Sequence, residues 1–187
     1  MNKSRLEALT DAIIAIAATI MVLELKVPEN NSLKSLMENW PIFLAYTISF
    51  FLIYIVWFNH HNIFKKAEII SSKTYLYNGV WTFFLTLVPF ATAWIGEDPH
   101  ATLPEIVYLV IVLLWSVSFQ LMDHQIMKDN NVEKDITTHF LNRSLLYGGI
   151  ILAAIISFAN PLISHIIFAI SLIIIIVNMF ITKPKNK

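Results

Sequence analysis

Six stretches of about 20 mainly apolar residues fill most of this chain, and no other feature constrains its fold as tightly. At ~1.5 Å rise per residue, a helix of that length crosses a ~30 Å hydrocarbon core. The stretches run from about Arg5 to Lys26, Leu36 to Phe64, Thr74 to Ile95, Pro104 to Met127, Asn142 to Ala159 and Pro161 to Ile181. Charged residues make up only 14% of the chain and apolar ones 57%, against roughly 25% charged in a soluble domain. So few charges cannot cover so much apolar surface in water, whereas a bilayer removes the need. The expected fold is an all-α membrane protein, with one six-helix transmembrane domain over residues 1–187. Lys3 and Arg5 before an apolar run resemble a signal peptide. Asp11 inside that run, and a further span after it, argue against one.

The connectors are short and rich in polar residues and proline. Orientation follows from where Lys and Arg fall. With the N-terminus in the cytoplasm, the inner side carries Lys3, Arg5, Lys65, Lys66, Lys73, Lys128, Lys134, Arg143, Lys183, Lys185 and Lys187. The outer side carries only Lys26 and Lys34, and the outer connector at 96–105 is acidic, with Glu97, Asp98 and Glu105. Both termini are therefore expected in the cytoplasm and the protein in the cell membrane. Net charge is zero and no basic patch is present, so no nucleic-acid partner is expected. The chain has no cysteine, which excludes thiol catalysis and thiolate metal sites.

The first span holds the most informative residues. Asp11 lies about two turns in, where a carboxylate costs about 2.5–3.5 kcal/mol on insertion scales and needs water or a partner. Arg5, six residues earlier, faces another way, so the partners come from other helices or other copies. Ala8, Ala12, Ala15 and Ala18 permit close helix approach. Leu9, Ile13, Ile16, Ile20 and Leu23 form a separate aliphatic edge, with Thr19 beside it. By periodicity alone this edge is either a lipid-facing or core seam, or the lining of a pore that narrows to apolar rings. Further polar groups in the spans are Asn59, His60, His61, Asn78, Ser116, Ser118, Gln120, His165 and Asn178. Adjacent His60 and His61 point about 100° apart and no further ligand stands at metal spacing, so no metal site is expected. One of the two is expected to pack helices together through a hydrogen bond to Asp11 or Arg5. His165, alone near the outer end of the last span, is expected at the membrane interface. No cluster of acid, base and nucleophile is visible, and no enzyme activity is expected.

Arg5-x-x-x-Leu9-Thr10-Asp11 resembles the Arg-x-x-x-Phe-Ser-Asp signature of the lysosomal potassium channel family and its bacterial relatives. Trp57-Phe58-Asn59-His60-His61, and Asn78 with Leu87-Val88-Pro89-Phe90, agree with it. The resemblance extends over the whole chain as one six-helix repeat. It implies a bacterial homotetramer whose pore is lined by the first helix of each subunit, without a carbonyl filter or a cofactor, and through which K⁺ permeates. Ile16 would form the main constriction, Ile20 and Leu23 further apolar rings, and Thr19 would bring hydroxyls near the pore. Arg5, Leu9, Thr10 and Asp11 would belong to a network holding the first helix, joined by His60 or His61 and Asn78. Leu9 replaces the aromatic of the signature, and Thr10 keeps its hydroxyl. Two other readings remain open at this point: a proton-coupled secondary transporter using Asp11 and the histidines, and a membrane assembly protein that conducts nothing.

Overall fold

The structure is a computed structural model that describes residues 2–132 and 140–181. Lys134, Lys183, Lys185 and Lys187 of the expected inner charge set lie outside the described residues. Seven α-helices are present among the described residues: α1 (Lys3–Ile20), α2 (Leu33–Glu38), α3 (Trp40–Lys65), α4 (Ser72–Glu97), α5 (Thr102–Asp129), α6 (Phe140–Ser157) and α7 (Pro161–Ile181). Among the described residues five helical segments are long and apolar enough to cross a membrane: Lys3–Glu24, Trp40–Lys65, Ser72–Glu97, Thr102–Asp129 and Pro161–Met179. The apolar segment Leu141–Ser157 of α6 is shorter.

Local chemistry sets the boundaries. Asn2 caps α1 by accepting the Arg5 N–H at 3.4 Å, and Ser71 caps α4 by accepting the Thr74 N–H at 3.2 Å. The first span was expected to stay helical to Lys26. Instead α1 ends at Ile20, tightens into a 3₁₀ turn at Met21–Glu24 and becomes extended at Leu25. Pro28 follows, where a helix cannot continue. The second expected span is also divided. Ser32 caps the short α2, and α3 restarts at Trp40 with Pro41 in its first turn. α4 runs through Pro89 without a break, and Pro89 is buried. At the tight Asn160-Pro161 corner, the Asn160 side chain accepts the Ile163 N–H at 3.1 Å and caps α7.

Apart from the short α2, successive helices alternate in direction: the end of α3 meets the starts of α1 and α4, the end of α5 meets the start of α4, and the end of α7 meets the start of α6. α4 packs along α5, α6 along α7 and α3 along α4, while α1 lies in the groove between α3 and α4. Trp81, Leu85 and Val88 of α4, Tyr108, Val112 and Trp115 of α5, and Phe168 of α7 are buried at the centre. The outside is apolar as well: Phe51, Tyr54, Phe83, Phe90, Leu121, Ile155 and Ile173 are exposed. An apolar perimeter of that extent is the surface of a multi-pass membrane protein.

The two ends are tied by polar contacts. Lys26 meets Glu97 at 3.3 Å at the end that carries the outer connectors. At the opposite end Asn130 accepts the backbone N–H groups of Glu68 and Ile69 at 2.8 and 2.7 Å, and Thr74 donates to Asp129 at 2.8 Å.

Two expectations are corrected here. Glu105 is not part of an exposed acidic connector; it lies in the first turn of α5 and is 2% exposed. His165 is not interfacial; it is also 2% exposed, with Nδ1 3.0 Å from the Glu105 carboxylate. Ser164 donates to the other Glu105 oxygen at 2.9 Å. Neither group has water to turn to, so each supplies the other's polar partner across α5 and α7.

Candidate functional site: the first helix and its anchor

α1 is two-sided. Leu6, Thr10, Ile14, Ala17 and Met21 recur every three or four residues, face the bundle and are buried. Leu9 (54% exposed), Ile16 (56%), Ile20 (43%) and Leu23 (78%) lie on the other side, uncovered by the rest of the subunit. Ile13 sits between the two sides and is half-buried.

The buried side is held by one continuous hydrogen-bond chain. Thr10 donates its hydroxyl hydrogen to the Leu6 carbonyl at 2.8 Å and accepts from the Asn78 amide nitrogen at 2.9 Å. The Asn78 amide oxygen lies 3.0 Å from His60 Nε2. With the amide in this orientation its oxygen can only accept, so His60 Nε2 carries the hydrogen and donates. Every bond in the chain points from α3 through α4 to α1. The His60 ring stacks on Phe64 at 4.3 Å and on Trp81 at 4.8 Å, which holds its plane in place. Thr10, Asn78 and His60 are all buried, so each bond replaces one that water cannot supply.

Asp11 takes a different partner from the one expected. Its carboxylate accepts the Trp57 indole N–H at 2.9 Å, and among the described residues neither Arg5 nor a histidine hydrogen-bonds it. Trp57 in turn stacks with His61, centroids 6.4 Å apart. The adjacent histidines thus serve two layers, His60 inside with Asn78 and His61 outside with Trp57. Arg5, Leu9, Asp11 and His61 are exposed. Asp11, Ala15 and Ala18 of α1 and Phe50, Tyr54 and Trp57 of α3 line a groove open to the surface.

Thr19 lies on the uncovered side. Its hydroxyl hydrogen is shared between the Ala15 and Ile16 carbonyls, at 2.9 and 3.0 Å. The oxygen lone pairs are thereby left free to accept from water or to meet a cation. No group of three or more His, Asp or Glu side chains converges as a metal site among the described residues.

Sequence reasoning singled out Thr10, Asn78 and His60, and the structure brings them together. It missed Trp57 as the partner of Asp11, although Trp57 stands in the same motif. It also missed the Glu105–His165 and Asp123–Arg143 pairs. The Arg143 Nη2 lies 3.0 Å from a buried Asp123 carboxylate.

The comparisons agree with this geometry. The sequence model described as "Endosomal/lysosomal potassium channel TMEM175" matches residues 5–89, the stretch that holds Thr10, Asp11, Trp57, His60 and Asn78. A potassium channel of Chryseobacterium sp. is 39% identical over 128 residues, covering 68% of this chain and 67% of its own length. The human endosomal/lysosomal proton channel TMEM175 is 30% identical over 137 residues, which are 65% of this chain but 27% of that protein. Among solved structures, that of a lysosomal potassium-selective channel TMEM175 homolog from Chamaesiphon minutus superposes with a TM-score of 0.80. The two share 30% identity, over 94% of this chain and 97% of that one. A signature on α1, its partners on α3 and α4, and a matching backbone over nearly the full length converge on one assignment: the chain belongs to the TMEM175 family of potassium channels.

Proposed function

We propose that this protein is a K⁺-permeable channel in the cell membrane, built from four identical copies. The observation that carries the reading is the uncovered aliphatic edge of α1, standing opposite a face tied down by Thr10, Asn78 and His60. Four such edges around a shared axis enclose a narrow path, and closed cyclic symmetry leaves no unpaired interface. Ile16 forms the constriction, Ile20 and Leu23 form outer rings, and the Thr19 oxygens face the permeating ion. Thr10, Asp11, His60, His61 and Asn78 hold α1 in register within each copy, and Arg5 and Leu9, exposed on the single subunit, complete that network between copies. Relatives named potassium channels support the permeant ion. α6 serves as a sixth span, so residues 1–187 form one six-helix repeat with both termini in the cytoplasm, as the Lys and Arg distribution favours.

Apolar rings restrain ion flow by dewetting, without a carbonyl filter. An ion that holds its water less tightly crosses such a ring at lower cost, which favours K⁺ over Na⁺. Ile16→Asn hydrates the ring and is expected to raise K⁺ flux from liposomes about tenfold for each ~1.4 kcal/mol removed from the barrier. A K⁺-selective leak from wild-type protein, with that increase, supports the channel. No leak together with no effect of Ile16→Asn sinks it, and saturable flux at a fixed H⁺ stoichiometry identifies a carrier instead.

A further inference from the structure

A second feature lies away from α1, in a cleft bounded by α3, α5, α6 and α7. Its walls are apolar: Leu52, Ile55 and Val56 of α3 face Leu172 and Ile175 of α7. One end is polar, with Asn59 of α3, Gln120 of α5 and Asn142 and Arg143 of α6. These groups share one end of the bundle because α3, α5 and α7 finish where α6 begins. That end also carries Lys65, Lys66 and Lys128. Most of its polar groups are already paired. Gln120 donates to the Tyr147 hydroxyl, Asn178 donates to Asn142 at 2.6 Å, and Arg143 Nη2 contacts Asp123 at 3.0 Å. Arg143 Nε is different: it is buried and has no acceptor among the described residues. A buried donor on a guanidinium without an acceptor costs free energy that a bound acceptor restores.

From this cleft we infer a binding site for an anionic phospholipid of the inner leaflet. A phosphate oxygen accepts from Arg143 Nε at the polar end, and an acyl chain lies along Val56, Ile55 and Ile175 toward the membrane centre. Three features select this occupant. The polar end stands on the side where the cytoplasmic headgroups lie, its unpaired donor is cationic, and the walls leading inward from it are apolar except for Ser116, whose hydroxyl hydrogen is already given to the Val112 carbonyl. Lys66, within electrostatic reach of Asp123, adds positive charge to the same end. The inference rests on the membrane placement alone, so its test reads bound lipid rather than ion flux and can fail while the channel reading stands.

The test is native mass spectrometry of the purified full chain, offered equal amounts of phosphatidylglycerol and phosphatidylcholine, with inorganic phosphate as a separate competitor. Phosphatidylglycerol is expected to be retained about tenfold better, because both lipids offer the phosphate acceptor but only phosphatidylcholine brings a choline cation against the positive charge at this end. Val56→Trp fills the apolar wall without touching the Asp123–Arg143 pair and is expected to abolish the retention. Arg143→Lys keeps the charge but loses the Nε donor, and is expected to lower retention of both lipids while keeping the preference for phosphatidylglycerol. Equal retention of the two lipids overturns the proposal. So does retention unchanged in Val56→Trp, displacement by inorganic phosphate alone, or cross-linking that places a second copy of the chain in the cleft.

Discussion

At the scale of single residues, the anchor of α1 depends on an amide. Asn78 is the one side chain that both accepts from His60 and donates to Thr10, so removing it orphans a donor and an acceptor together. Asn78→Leu is expected to lower stability by about 1–3 kcal/mol per group left unsatisfied, read as a fall in detergent Tm relative to wild type. Asn78→Gln, which keeps both functions on a longer stem, should lose less; equal losses would mean that packing rather than hydrogen bonding holds the site. Much of this anchor was legible from residue types alone, because polar side chains in a 20-residue apolar run need partners. Which partner was not legible. Asp11 and Trp57 are 46 residues apart, and the carboxylate took a neutral indole donor where a cationic or histidine partner was expected. Glu105 was one of three acids read into an outer connector and His165 a lone group near a span end, 60 residues away, and only the α5–α7 packing turned them into a pair.

Between elements, close approach is set by small residues. The spans themselves were readable because apolar run length and proline positions mark them independently of tertiary contacts. The breaks after Ile20 and at Asn39 escaped, since hydropathy does not change at a 3₁₀ turn or at a helix restart. The α6–α7 hairpin shows what spacing cannot convey. A Cβ added at Gly149 would stand 2.5 Å from the Ser171 hydroxyl, whereas one at the neighbouring Gly148 would meet nothing within 4 Å. Gly149→Ala is therefore expected to cost about 1–3 kcal/mol through overpacking. Gly148→Ala is expected to be neutral or to gain up to about 1 kcal/mol from helix propensity. Thermal unfolding of the two variants side by side checks this, and equal Tm values would place the hairpin contact elsewhere.

For the whole molecule, orientation is the property most readily tested, because the chain has no cysteine to remove first. Glu29 lies between α1 and α2 and Glu68 between α3 and α4, at opposite ends of the bundle, and both are exposed. A membrane-impermeant maleimide added to intact cells is expected to label Glu29→Cys and to spare Glu68→Cys until the membrane is opened. Labelling of both from outside would refute the expected topology. The bundle also holds long helices. α3 and α4 have 26 residues each and α5 has 28, so they span about 39 Å and about 42 Å, more than a ~30 Å hydrocarbon core. A bilayer meets such helices by letting them lean or by thickening around them. Bilayer thickness is thus a mechanical load on this protein: thinner lipid leans the three long helices over, and thicker lipid lets them stand upright.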